Sequence, residues 1–403
     1  MRRLMAGTIL GTGMALAAWS AHAQETVRFW YHFDNPDNPM DALIADFEAA
    51  HPDIRIEAEN VPWNSYYDNL YTAIVGGNAP DAAMVKLFAQ PRLLEMGALE
   101  PLDDRIEAWA GKDDILDNLF ELNAAPDGSR YYLPLQYVVL YLYYRTDMFA
   151  EAGLEPPATC EAFREAAIAL TRDTDGDGNN DVYGFGFRGG RGGHDHWATF
   201  VLPQSNGFDG LTSEAGIAAT QWVIDLHRTD GVFPPSAPND GFQEIIGAFQ
   251  SGVTAMTIHH IGSSAGMVEA LGDKVSAVPV PECGGGRWTS FGDESTAILA
   301  HSEVKDAAWE WISFLSSAGA NAKFNEATGQ LPVTRTDSEA WTLHEQRFVK
   351  ATMDSLPYAA LLPNVPETSD FVNTVWPVAM QRALTGEITA EDMNAEIAAL
   401  YGK

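Results

Sequence analysis

Residues Asp173 to Asp181, DTDGDGNND, set side-chain oxygens on alternate positions around a glycine. Asp173, Asp175, Asp177, Asn179 and Asp181 fall at positions 1, 3, 5, 7 and 9 of a calcium loop, with Gly178 at the sharp sixth position. Gly184 stands where the loop would need a bidentate glutamate. A structural Ca²⁺ and a plain polar turn between a helix and a strand both fit this segment, and no other cofactor is expected.

Three further patterns could carry chemistry. Gly184-Phe185-Gly186-Phe187-Arg188-Gly189 fits a dinucleotide fingerprint, but that motif belongs between a first strand and a helix, and here Gly190, Gly192 and Gly193 follow. Gly262-Ser263-Ser264-Ala265-Gly266 fits a nucleophile elbow, with Asp293 and His301 or His344 downstream as partners. The competing reading makes Ser263 or Ser264 a helix cap. The pairs Tyr66-Tyr67, Tyr131-Tyr132 and Tyr143-Tyr144 could hold ferric iron as tyrosinates, yet each lies in an apolar pattern where one ring packs inward. Among 56 acidic residues no glycosidase pair stands out.

Binding is better signalled than catalysis. Trp30, Trp63, Tyr137, Trp197, Phe291 and Trp376 lie near predicted strand ends and loops. The apolar face of a sugar ring stacks on such rings, while its hydroxyl rim needs donors and acceptors from Asp, Asn, Gln, His and Arg. Most of the aromatics must nonetheless fill core.

These residues have to be positioned by a chain of 403 residues. Arg2 and Arg3, the apolar run Leu4 to Trp19 and Ala21-His22-Ala23 form the three parts of a secretory signal peptide, with cleavage expected near Ala23 and a periplasmic destination. No lipid-accepting cysteine stands at that point. The formal charge of −32 becomes −34 once the two arginines leave. So acidic a chain lacks the Lys/Arg clusters that bind nucleic acid, and it favours a neutral or cationic ligand. Cys160 and Cys283 are the only cysteines, and their pairing is not fixed by the sequence.

Strand and helix patterns alternate from Val27 onward. Strands are expected at Val27–Tyr31, Ile54–Ile56 and Ala82–Val85, with helices over Met40–Phe47 and Tyr66–Val75 between them. The spacing indicates βαβ units and a parallel sheet. Tyr131–Leu135 and Val138–Tyr144 read as strands crossing between two lobes. Helices follow at Cys160–Leu170, Glu214–His227 and Lys305–Ser316, and a strand at Thr254–His259.

In order along the chain stand VRFWYHF, FEAAHPDIRIE, GGNAPDAAM, LLEMGALEPLDD, YYLPLQYVVLYLYYRTDMF, DTDGDGNNDVYGF, FQSGVTAMTIHHIG, AAWEWISFLSS, GQLPVTR and ALTGEITAED. This series resembles the extracellular solute-binding proteins of carbohydrate ABC transporters, the family that includes maltose- and glycerol-phosphate-binding proteins. The resemblance implies an α/β, two-lobed periplasmic-binding-protein fold, with crossing hinge strands and ligand in the cleft. The expected division is 24–135 with 288–342 for one lobe and 136–287 with 343–403 for the other. It further implies a monomer without catalytic activity, partnered by a small sugar or polyol and by the permease subunits of an importer.

Carried over by position, the ligand contacts are His32, Asp34, Trp63, Lys86, Gln136, His260, Phe291, Gly292, Asp293 and Arg335. Tyr137, Trp197 and Trp376 join them as aromatics, and Arg188 as a polar group beside the cleft. The chain departs from the family pattern at His259, His260 and Gly262, where a glycine and an aromatic are usual, and at Cys160, where a tryptophan is common. With His32, Lys86, Arg188, His194 and Arg335 near the cleft, an acidic sugar derivative is an alternative ligand.

Overall fold

A computed structural model describes residues 24–33, 38–117 and 119–402. The signal sequence and Asp34 lie outside these residues. Period-two patterning and short apolar runs give the strands β1 (Glu25–Tyr31), β2 (Ile54–Asn60), β3 (Ala82–Val85) and β4 (Leu133–Arg145). They continue as β5 (Tyr183–Gly186), β6 (Thr254–His260), β7 (Val275–Val278) and β8 (Thr289–Ile298). Helices Met40–Ala50, Tyr66–Gly76, Cys160–Leu170, Glu214–Arg228 and Lys305–Leu315 fall where the apolar periodicity places them.

Hydrogen bonding orders the strands β2-β1-β3-β8-β4-β6-β5, with β7 also on β4. β1 runs parallel to β2 and β3, and β5 parallel to β6. The sheet is mixed rather than parallel as expected, because β8 returns antiparallel between β3 and β4. Nothing local to β8 signals this, since strand direction is set by distant partners.

β4 is one strand of 13 residues where the sequence indicated two runs. Pro134 cannot donate to a ladder, and the register with β8 shifts between Pro134 and Gln136. The strand nevertheless continues. Its first half, through Val139, pairs with β8, and its second half, from Leu140, pairs with β6 and β7. The long strand thus links two separately packed regions.

The first region packs Val27, Phe29, Phe47 and Trp311 on one face of its sheet and Tyr66, Tyr67, Val85 and Leu93 on the other. In the second, Tyr141, Tyr143, Phe249 and Phe348 cover one face, while Leu142, Phe163, Phe185 and Trp197 cover the opposite one. Cys160 and Cys283, 123 positions apart, form a disulfide in this second region. The Cys160 N–H also donates to the Glu282 carbonyl at 2.9 Å.

Candidate functional site

Where the two regions face each other they enclose a cavity of about 660 Å³. Its first wall stands at the carboxyl ends of β1 and β3, the usual place for ligands in α/β sheets. His32 follows β1, Lys86 follows β3, and β8 contributes Phe291 to Glu294. The Lys86 ammonium contacts the Glu294 carboxylate, donates to the Asp293 carbonyl at 3.1 Å and lies 5.2 Å from the centre of the Trp63 ring. His32 Nε2 sits 3.1 Å from Glu294 Oε2, its ring edged by Trp63 and Tyr66.

Two adjacent carboxylates on this wall behave oppositely. Burial opposes ionisation of Glu294, but the charges and hydrogen bonds of His32 and Lys86 outweigh it and hold the group below its ordinary range. Burial pushes the Asp293 carboxyl up to about 7, against the Lys86 charge and the Leu87 N–H, which donates to it at 3.1 Å.

The second wall is built from β5, β6 and two helix starts. Arg188 follows β5, His194 to His196 open the helix His194–Ser205, Phe242 opens the helix Phe242–Ser251, and His259 and His260 end β6. His196 Nδ1 accepts the Arg188 N–H at 3.2 Å while Nε2 donates to the Ile258 carbonyl at 2.9 Å. That pairing fixes one neutral tautomer. Burial drives His196 and His260 down to about 3 and lowers His259 and His194 as well, so these imidazoles carry no charge near neutrality. Burial also lowers the Arg188 guanidinium to about 10, which leaves it charged.

Most of the expected contacts line this cavity: His32, Trp63, Lys86, Gln136, Arg188, His260, Phe291, Gly292 and Asp293. Four do not. Trp197 and Trp376 are fully buried in the second region's core, with the Trp197 Nε1 donating to Thr220 at 3.2 Å. Tyr137 turns to the other side of β4, stacked on Phe291 beside Ile115 and Val333. Arg335 is on the surface, 3.1 Å from Asp117. The sequence reading missed Glu294, Asp195, His196 and Phe242, although Glu294 is the immediate neighbour of the expected Asp293.

The other motifs resolve differently. Ser264 Oγ lies 2.9 Å from His344 Nδ1, but His344 Nε2 has no hydrogen-bond partner among the described residues, so no acid orients the imidazole. Ser264 also has helical φ/ψ, without the strain of a nucleophile elbow. Neither serine caps through its side chain, because the Ser263 hydroxyl is engaged by His259 at 2.8 Å. Tyr66, Tyr67, Tyr132 and Tyr143 pack into the cores of the two regions, and burial raises each well above the ordinary phenol range. Gly184 is pressed onto the Ala167 backbone rather than cradling a phosphate.

In the acidic loop, ligand oxygens of Asp173, Asp175 and Asp177 lie within 4.8 Å of one another. Asp173 accepts the N–H groups of Asp175, Gly176 and Gly178, and Asp181 accepts from the Thr174 N–H and hydroxyl. Asn179 turns its side chain to Asp177 at 3.1 Å.

Residues 11–322 match the family described as bacterial extracellular solute-binding protein. A binding protein of Brucella abortus is 25% identical, the alignment covering 96% of this chain and 95% of the relative. The mannitol-binding protein of Pseudomonas aeruginosa is 27% identical over 87% of this chain and 86% of its own length. An ABC transporter solute-binding protein of Thermotoga lettingae, solved with α-D-tagatose, superposes with a TM-score of 0.81 at 24% identity, covering 93% of this chain and 98% of that one. Among the described residues no helix is long and apolar enough to cross a membrane.

Proposed function

Because the chain belongs to the family of bacterial extracellular solute-binding proteins, we propose that it is the periplasmic capture component of an ABC importer for a small carbohydrate or polyol. The observation that carries this reading is the composition of the cavity. Trp63 and Phe242 offer aromatic surface, while Gln136, Lys86, Arg188, Asp195, His260 and Glu294 interleave hydroxyl-matching donors and acceptors.

The mechanism follows from β4 and β8. At the back of the cavity β4 passes from one lobe into the other with β8 paired along its first half, so a ligand touching both walls favours the closed arrangement, and the permease subunits read that arrangement. Nothing in the reading requires a bond to be broken. The relatives support a polyhydroxylated ligand, one being named for mannitol and another being solved with tagatose.

Thermal unfolding of the refolded, ligand-free protein against neutral and acidic sugars and polyols tests this. A ligand at 100 times its dissociation constant adds about 2.7 kcal/mol of stability. A shift confined to one sugar class supports capture. Absence of any shift, together with ester hydrolysis that is lost in Ser264→Ala, contradicts it.

A further inference from the structure

Between Ala359 and Val375 the chain runs along the junction of the two lobes, and neighbouring residues in it are held by opposite sides. Ala359 and Ala360 pair with Thr289 and Ser290 of β8. Leu361 then packs against the first region's core, whereas Leu362 packs against the second region's. The alternation is repeated in the short helix Glu367–Asp370. The Thr368 hydroxyl donates to the Pro363 carbonyl and accepts from the Tyr401 hydroxyl at 3.2 Å, on the second lobe. The next residue reaches the other way: Ser369 Oγ lies 2.7 Å from the Tyr71 hydroxyl, on the helix Tyr66–Gly76 of the first lobe.

Both ends of that contact lead to the cavity. On the first lobe the Tyr71 ring packs on Tyr67 at 5.9 Å between centroids and Tyr67 on Trp63 at 5.8 Å, while the Tyr67 hydroxyl accepts the Lys86 N–H at 2.8 Å. On the second lobe the chain passes from Asp370 into a π-helical turn, Phe371–Val375, a geometry frequent at functional sites. The Phe371 ring meets the His194 ring edge-on at 5.6 Å, and Val372 lines the cavity. Leu361, Leu362, Pro363 and Asn364 line it as well. The Ser369–Tyr71 contact therefore ties the wall of Trp63 and Lys86 to the wall of His194 from outside the cavity.

β4 joins the lobes whether the cleft is open or shut, but Tyr71 and Ser369 meet only when the helix Tyr66–Gly76 comes against the helix Glu367–Asp370. One turn before Tyr71, Asp68 receives Arg191 from the second lobe, so closure seats the same helix at two points. The two holds differ in strength. The Arg191 pair is solvated and weak, whereas Ser369 is 2% exposed, and a buried hydroxyl that loses its partner bears the cost of its desolvation. We propose that the segment Leu361–Asp370 is a latch on the cleft, that Ser369 on Tyr71 is its catch, and that breaking this contact sets the rate at which captured solute is released.

The latch rests on the capture reading, and one experiment separates their failures. Release of mannitol, tagatose, ribitol, maltotriose and glycerol 3-phosphate is followed by stopped-flow tryptophan fluorescence, beside thermal unfolding with and without each compound. The proteins are the parent, Tyr71→Phe, Ser369→Ala and the double variant. For a compound that binds, each single variant should release it about three- to tenfold faster. The double variant should be no faster than the singles, because the two hydroxyls make one contact, and the ligand-free midpoint should not move. Equal release rates in all four proteins overturn the latch and leave capture standing. A ligand-free midpoint that falls as far as the ligand-bound one marks a static packing contact and overturns it, as does a double variant whose effect is the product of the singles. If none of the compounds shifts the parent's midpoint, the capture reading falls and the latch with it. Should Tyr71→Phe fail to fold, as judged by near-ultraviolet circular dichroism, Ser369→Ala alone decides through its release rate and ligand-free midpoint.

Discussion

His32 Nε2 lies 3.1 Å from Glu294 Oε2, although 262 positions separate the two residues. The contact closes a network in which Glu294 also holds Lys86. Glu294→Gln removes the counter-ion from a lysine that is only 22% exposed in its side chain. Losing one partner of a buried pair costs about 3–5 kcal/mol, so chemical denaturation should show a loss of that size. Ligand binding should weaken with it. A loss below 1 kcal/mol would mean that the pair is solvated.

Asp293 and Glu294 impose opposite pH dependences. The folded state binds the Asp293 proton up to about pH 7 while the unfolded chain has already lost it, so this residue's contribution to stability falls as pH rises through that window. Glu294, held below its ordinary range, contributes stability that is present above the unfolded value and lost as pH falls through the folded one. Asp293→Asn should flatten the decline between about pH 4 and 7 and raise the unfolding midpoint relative to the parent at pH 8. A parallel offset at every pH would contradict the assignment.

The disulfide closes a loop of 123 positions. In the chain-entropy account a loop of this size is worth about 4–5 kcal/mol. Paired Cys160→Ser and Cys283→Ser, or a reductant, should lower the unfolding midpoint by several degrees while leaving ligand affinity nearly unchanged, since neither cysteine lines the cavity. Equal midpoints with and without reductant would contradict a structural role.

At the mouth of the cavity Arg191 bridges the lobes, donating to the Asn64 carbonyl at 2.6 Å and to Asp68 Oδ2 at 3.0 Å. The pair is half exposed and adds little static stability. It exists only when the lobes meet, so Arg191→Ala should raise the ligand dissociation rate about two- to fivefold without moving the ligand-free midpoint. Stopped-flow tryptophan fluorescence, with Trp63 in the cavity wall as reporter, measures this.

Three carboxylates within 4.8 Å repel one another, and a calcium ion would relieve that repulsion. We expect millimolar calcium to raise the unfolding midpoint relative to EDTA, and Asp175→Asn to reduce that rise. Identical midpoints would leave the loop as a hydrogen-bonded turn.

The sequence made much of this visible, for identifiable reasons. Lys86 and His32 were reached through the family resemblance, which places contacts just after the strands Val27–Tyr31 and Ala82–Val85 that the residue pattern makes legible. Trp197 and Trp376 misled because a tryptophan in a helix buried on all sides looks, in sequence, like one at a binding surface; burial is decided by neighbours from other segments. Phe242 and Asp195 open helices that follow glycine-bearing loops, and only the packed fold shows that both starts face the cavity. The Cys160–Cys283 pairing and the His32–Glu294 contact depend on distant closures that no local pattern encodes.

Capture by closure is tested most directly by small-angle X-ray scattering on the ligand-free protein and on the same sample saturated with the tightest sugar or polyol of the panel. The account predicts a smaller radius of gyration with ligand and recovery of the ligand chemically unchanged. An unaltered radius at saturation, or recovery of a cleaved product, would contradict it.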